Sequence, residues 1–124
     1  MNKKRNDVFV TYRHLRNNET DAEGKNPLQN AGITLAIKVD LRNEYNRVVY
    51  FDFTCCDFRF DNFCKEEGRR IAYLKLKEKL KEGRAYSITM PENGYTIVNG
   101  ILCYIQDHPE DFNRFTKYFN KYIN

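Results

Sequence analysis

The feature that most constrains the fold is a strict two-residue alternation over residues 31–42, followed by a second run of the same kind. Apolar side chains occupy every second position of the first run; they are Ile33, Leu35, Ile37, Val39 and Leu41. Residues 47–55 alternate in the same way after a turn at 43–46. A period of two is that of a β-strand with one buried face. The two runs therefore predict a β-hairpin of half-buried strands within an antiparallel sheet.

A long helix is predicted over residues 61–81. Asp61 is of a residue type that caps helix N-termini, while the glutamates that follow and the later lysines suit the helix dipole. Gly83 is placed as a C-terminal stop. Gly68 interrupts the pattern, because a glycine inside a helix costs up to about 1 kcal/mol relative to alanine. It indicates close approach by a ligand or, more simply, tight packing of the helix on the sheet.

The N-terminal part and the segment after the helix add shorter elements. Residues 8–13 and 85–89 alternate and predict two further strands. Residues 14–30 are polar and rich in turn-forming residues, so they predict a flexible loop.

The C-terminal part contains one ambiguous segment and one clear helix. Asn99 and Gly100 form a dipeptide typical of hairpin turns, and they predict strands at 95–98 and 101–105. The second of these runs also suits a helix. A helix is predicted to open near Asp107, because aromatic residues then recur at helical spacing; they are Phe112, Phe115, Phe119 and Tyr122.

These elements predict a single domain over residues 1–124. The fold class is α+β, with an antiparallel sheet of about five strands and two helices in the order β-β-β-α-β-β-α. Apolar residues make up 41% of the chain, which is adequate for a core at this length.

The sequence lacks the motifs of catalysis and of metal binding. It contains no phosphate-binding glycine loop, no nucleophile elbow and no zinc-protease helix motif. The two histidines, His14 and His108, are expected at surface or capping positions. The cysteines lack the chelating spacing of a zinc site; they are Cys55, Cys56, Cys64 and Cys103. We therefore expect a protein that is not an enzyme and that uses no metal and no cofactor.

Charge and hydropathy restrict location and partners. The basic N-terminal residues are not followed by an apolar run, so no signal peptide is predicted. No apolar stretch approaches the length of a membrane span. A cytoplasmic protein with reduced thiols is expected. The net charge of +4 permits anionic partners but falls short of the basic surface of a dedicated duplex-DNA-binding protein.

The predicted helix at 61–81 carries most of the candidate binding residues. Free N–H groups at a helix N-terminus and arginine side chains both suit a phosphate. Residues 65 and 69 are one turn apart on one face, and the tyrosine one turn further on offers a ring on which a base can stack. The alternative is a solvated charged face with some cations paired to nearby glutamates. The candidates on the helix are Lys65, Gly68, Arg69, Arg70 and Tyr73, and Arg59, in the loop that enters the helix, adds a third cation near its N-terminus.

Two further candidates, Arg114 and Tyr118, lie on the predicted C-terminal helix. They fall largely away from its aromatic stripe and suit either an anion or another protein. Aromatic residues, 15% of the chain, are also enriched at protein interfaces, so a homo-oligomer is expected.

The segment Asp61-x-Phe63-x-Lys65-x-x-Gly68-Arg69-x-Ile71-Ala72 resembles a pattern of small phage-encoded accessory proteins, in which a basic residue precedes G-R-x-I-A on a helix. The predicted outline is similar to that of the Thoeris anti-defence family. That resemblance implies an oligomeric, non-enzymatic protein that sequesters the cyclic ADP-ribose-like signal of host TIR enzymes. It assigns no binding residue in this chain.

Three functions are therefore open. The first is a phage-type counter-defence protein that sequesters a small anionic signalling nucleotide, either cyclic ADP-ribose-like or a cyclic oligonucleotide. The second is an inhibitor that contacts a host defence protein, such as a nuclease or CRISPR effector. The mixed charges of the chain weaken one form of the second function, in which the protein mimics nucleic acid, because such a mimic should be strongly acidic. The third is a small regulator that binds RNA or DNA, which predicts a steep salt dependence; the net charge of +4 does not favour it.

Overall fold

The computed structural model describes residues 7–17, 20–26, 28, 31–42, 47–56, 64–90 and 96–123. These residues form four strands, three α-helices and a π-helical segment. The elements are β1 (Val8–Arg16), β2 (Gly32–Asp40), β3 (Val48–Cys55), α1 (Lys65–Glu82), β4 (Tyr86–Thr89), α2 (Ile97–Asp107), α3 (Asn113–Tyr118) and the π-helical segment (Phe119–Ile123). The α+β class with an antiparallel sheet is confirmed. The predicted counts of about five strands and two helices are wrong.

The four described strands form one antiparallel sheet in the order β1-β2-β3-β4, which is also their order along the chain. β2 and β3 pair along their length, so the predicted hairpin is confirmed, although its turn at 43–46 lies outside the described residues. β1 pairs with all of β2 and places His14 opposite Thr34. It continues through Arg16, three residues into the segment predicted as a loop.

Helices cover both faces of this sheet. On one face, β2 and β3 pack with α2 and α3 in the main core, whose buried members include Ile33, Phe51, Ile101 and Phe112. On the other face, Ala72 and Leu76 of α1 pack on Ala36. The prediction of a half-buried β2 is therefore wrong: α1 covers its second face, where Thr34 and Ala36 are 0% exposed.

α1 begins four residues later than predicted. Its N-cap is Cys64, whereas the predicted cap, Asp61, lies outside the described residues. The helix ends as predicted at Gly83, which adopts the left-handed conformation with φ 71°. Within the described ranges no helix, α1 included, is both long enough and apolar enough to cross a bilayer.

An ion pair also ties α1 to the sheet. Lys79 Nζ lies 3.0 Å from Asp52 Oδ2, without the geometry of a hydrogen bond, and Asp52 is only 2% exposed. The other carboxylate oxygen accepts a hydrogen bond from the Phe53 backbone N–H at 2.7 Å. A buried carboxylate without a compensating cation is strongly unfavourable, so Lys79 holds α1 over β3.

The C-terminal part is helical where a hairpin is predicted. The Thr96 side chain accepts a hydrogen bond from the Asn99 N–H and caps α2, so Asn99 and Gly100 form its first turn rather than a hairpin turn. The predicted strand at 95–98 is therefore wrong over its described residues, 96–98, and of the two alternatives for residues 101–105 the helix is confirmed. Ile101 and Ile105, one turn apart, are buried against the sheet. The predicted second helix opens later than residue 107, as α3 at Asn113.

Candidate anion-binding site

The candidate site lies where the first turn of α1 meets the end of β1. Gly68 packs directly over Thr34 of β2: a Cβ placed on Gly68 would lie 2.3 Å from Thr34 Oγ1. No other residue type allows this separation. The prediction that Gly68 reflects tight packing of helix on sheet is confirmed. The same contact sets the first turn of α1 beside β1, the neighbour of β2.

His14 is the centre of the site. Its Nδ1 lies 2.9 Å from Thr34 Oγ1, across the β1–β2 pair, and its ring is half-buried. The sequence indicates only a surface or capping role for this histidine. The structure instead places it close to α1. The same Thr34 hydroxyl oxygen lies beside both His14 Nδ1 and Gly68 of α1.

Three cations from two elements act electrostatically on His14. Burial lowers the pKa of His14, and the positive charges of Arg69, Lys65 and Arg16 lower it further, in that order. Arg16 lies on β1, while Lys65 and Arg69 lie one turn apart on α1. Each cation disfavours a second positive charge on the imidazole. We call His14, Arg16, Lys65 and Arg69 the basic cluster; it is a local concentration of positive potential.

The N-terminus of α1 adds hydrogen-bond donors beside these side chains. Cys64, its N-cap, makes no side-chain hydrogen bond to the first turn. The first-turn N–H groups of a helix and the helix dipole favour an anion. In the part of the chain that the structure describes, neither Lys65 nor Arg69 forms an ion pair. The arrangement is suited to holding a phosphate, although Glu66 and Glu67 also lie in this first turn.

The other predicted residues of α1 are only partly associated with the cluster. Arg70 is exposed and forms an ion pair with Glu67, which lowers the pKa of that carboxyl group. Its charge is therefore partly offset within the helix. Tyr73 lies one turn beyond Arg69 and is 37% exposed, so its ring is accessible. Arg59 lies outside the described residues.

The two candidates of the C-terminal helix lie elsewhere. Tyr118 packs against the main core, on the face of the sheet opposite α1. Its hydroxyl donates to the Cys56 carbonyl oxygen and accepts from the Gly32 N–H at 3.0 Å. Burial raises the pKa of Tyr118 to about 12. Arg114 is exposed and acts electrostatically on Cys55 and Lys75 near the end of β3. The structure thus places these residues apart from the basic cluster.

Sequence reasoning missed His14 and Arg16. Both fall in the stretch predicted as a loop, and their position under α1 follows from the β1–β2 register and from the glycine contact. The alternation of β1 continues through Leu15, which packs against the main core. That single apolar residue is the signal that extends the strand.

The described residues contain no set of three His, Cys, Asp or Glu side chains placed to hold a metal ion. The fold and the site together define an α+β protein with a cationic cluster at a helix N-terminus. No family model matches the chain, and neither a curated protein nor a solved structure matches it.

Proposed function

We propose that this protein binds a small anionic nucleotide through the basic cluster and sequesters it without transforming it. The phosphate groups contact Lys65, Arg69 and the first-turn N–H groups of α1. The base stacks on the exposed ring of Tyr73, one helical turn from Arg69. The observation that carries the proposal is that Arg69 and Lys65, in the first turns of α1, and Arg16 of β1 all act electrostatically on His14.

The ligand class is that of signalling nucleotides, either cyclic ADP-ribose-like or cyclic oligonucleotides. In this proposal the protein is phage-encoded, acts in the cytoplasm of the infected cell as a homo-oligomer and is not an enzyme. The resemblance of residues 61–72 to small phage accessory proteins supports the setting. The structure supports the site through the cations of α1 and β1.

Calorimetric titration with cyclic ADP-ribose and with cyclic di-AMP tests the proposal. Arg69→Gln removes a charged donor from the cluster, and Lys81→Gln removes the same charge from the exposed last turn of α1. Hydrogen bonds to charged groups contribute about 1.5–3 kcal/mol, so Arg69→Gln is expected to weaken binding about tenfold to a hundredfold. Lys81→Gln is expected to bind as the unmodified protein does. Chromatography of the released ligand should recover it unchanged.

Three outcomes would contradict this function. The first is that neither nucleotide binds. The second is equal weakening by Arg69→Gln and Lys81→Gln, which would show that only net charge matters. The third is conversion of the nucleotide, which would make the protein an enzyme. Binding of an RNA or DNA oligonucleotide with a steep salt dependence, and not of the small nucleotides, would favour the nucleic-acid alternative.

A further inference from the structure

A second concave site lies on the other side of the sheet, between α2 and the α3–π-helical segment. Its volume is about 450 Å³, within the range of small-molecule pockets, roughly 300–1,000 Å³. The floor is apolar and is formed by Leu102, Ile105, Phe115 and Phe119. We call it the α2–α3 groove. Because α1 covers the opposite face, the groove is separate from the basic cluster.

The floor of the groove is rigid. Ile105 and Phe115 are 3% and 2% exposed and belong to the main core. The rings of Phe115 and Phe119 stack with centroids 5.9 Å apart and planes inclined by 10°. Phe119, stacked on the buried Phe115, gives the groove an aromatic lining, which suits an aromatic or alicyclic ligand.

The wall beyond Phe119 is π-helical over Phe119–Ile123. This conformation is rare in proteins and is frequent at functional sites. The wider turn begins at the aromatic wall and includes Asn120, which lines the groove. The departure from α-helical geometry is thus located at the groove.

The described residues that line the groove include no Lys, Arg, Asp, Glu or His. In the whole chain, Lys, Arg, Asp and Glu together make up 31% of the residues. Its polar members include Asn99, Gln106 and Asn120. Within the described residues, none of these side-chain amides hydrogen-bonds to another protein group. The described lining thus offers neutral donors and acceptors beside apolar side chains, and none of these residues carries a charge to pair with an ion.

We propose that the α2–α3 groove binds an uncharged, largely apolar small molecule whose ring contacts Phe115 and Phe119 and whose polar group hydrogen-bonds to the rim amides. The occupant is a small molecule because the groove is concave and of limited volume. It is uncharged because burying an ion without a partner is costly.

The test uses two dyes that share a ring system. N-phenyl-1-naphthylamine is neutral, and its 8-sulfonate derivative is an anion. The chain carries an internal reporter: Cys103 lines the groove, whereas Cys64 lies at the start of α1, and both thiols are exposed. The rate of alkylation of each by iodoacetamide, read by peptide mass spectrometry, shows where a dye binds.

With the neutral dye at saturation, fluorescence should rise with a 1:1 stoichiometry. Alkylation of Cys103 should slow at least fivefold, while that of Cys64 is unchanged. The sulfonate at the same concentration should leave Cys103 unprotected. Cys103→Trp fills the groove and should abolish the fluorescence increase, whereas the control Cys64→Trp should retain it. The alkylation rates are measured on the unmodified chain, so this readout does not depend on the folding of either variant.

Several results would overturn the proposal. One is a fluorescence increase without protection of Cys103, which would place the dye elsewhere. Another is equal protection by the sulfonate, which would show that the groove does not select against charge. A third is protection of Cys103 that grows with protein concentration in the absence of dye, because a second copy of the chain would then cover the groove.

Discussion

The contact between Gly68 and Thr34 permits a quantitative test of how α1 is positioned. Replacing Gly68 by alanine in a helix normally stabilises by about 1 kcal/mol. Here the added Cβ would lie 2.3 Å from Thr34 Oγ1 and 3.2 Å from Thr34 Cβ. Thr34 is fully buried and its hydroxyl contacts His14, so it cannot rotate away without losing that contact. Overpacking of this kind costs about 1–3 kcal/mol.

Gly68→Ala is therefore expected to lower the free energy of unfolding by up to about 2 kcal/mol, which is the overpacking cost less the gain in helix propensity. Urea denaturation followed by circular dichroism measures this change. In a Thr34→Ala background only the 3.2 Å contact remains. The cost of Gly68→Ala should then fall by at least about 1 kcal/mol, a coupling that a double-mutant cycle reports directly. If Gly68→Ala alone raises the free energy of unfolding by about 1 kcal/mol, or if the two substitutions are additive, the argument from close packing is refuted.

Three further perturbations test other contacts. Because the pKa of His14 is lowered in the folded protein, the unfolded chain binds more protons just below pH 6.5, roughly the value of an exposed histidine. The free energy of unfolding should fall as pH decreases through this window, and His14→Gln, followed by urea denaturation at several pH values, should flatten the dependence. Lys79→Met removes the cation that lies 3.0 Å from the buried Asp52 carboxylate and leaves Lys75 as the other cation that acts on it. The substitution should cost up to about 3 kcal/mol in urea denaturation at pH 7; no loss would show that the pair is dispensable. Tyr118→Phe leaves the Gly32 N–H and the Cys56 carbonyl oxygen without their shared partner. It should lower the free energy of unfolding by about 1–3 kcal/mol, and amide hydrogen exchange should accelerate at Gly32.

The elements that sequence predicts well are those whose signal is local and repeated. The alternation of β2 and β3 predicts a hairpin because an apolar side chain recurs at every second position of both strands. The end of α1 is likewise marked by one residue, Gly83, whose positive φ favours glycine. In these cases neighbouring residues in the chain are sufficient to determine the conformation.

Predictions fail where a local signal competes with a longer-range one. Asn99 and Gly100 suggest a hairpin turn, yet the four-residue spacing of Ile97, Ile101 and Ile105 is that of an apolar helix face. Burial of that face against the sheet outweighs the turn preference of two residues. Both signals are present in the sequence. The choice between them depends on where the sheet lies, which the local sequence does not indicate.

For the same reason, only the part of the basic cluster that lies on α1 could be predicted from the sequence. Lys65 and Arg69 share a helix face, which spacing alone indicates. His14 and Arg16 join them through the pairing of two strands and the packing of a helix across them. Those contacts link residues far apart in the chain, so no local pattern indicates them.

The four described strands lie in the sheet in the same order as in the chain, and this has a consequence for folding during synthesis. Each strand leaves the ribosome after the strand it pairs with, so the sheet can grow by successive addition. Among the described elements, its main apolar face is covered by α2, α3 and the π-helical segment, which all follow the sheet along the chain. A nascent chain that has completed the sheet therefore presents this face uncovered, and such surfaces promote aggregation. Truncation before α2 should yield an insoluble product, even though all four described strands are present.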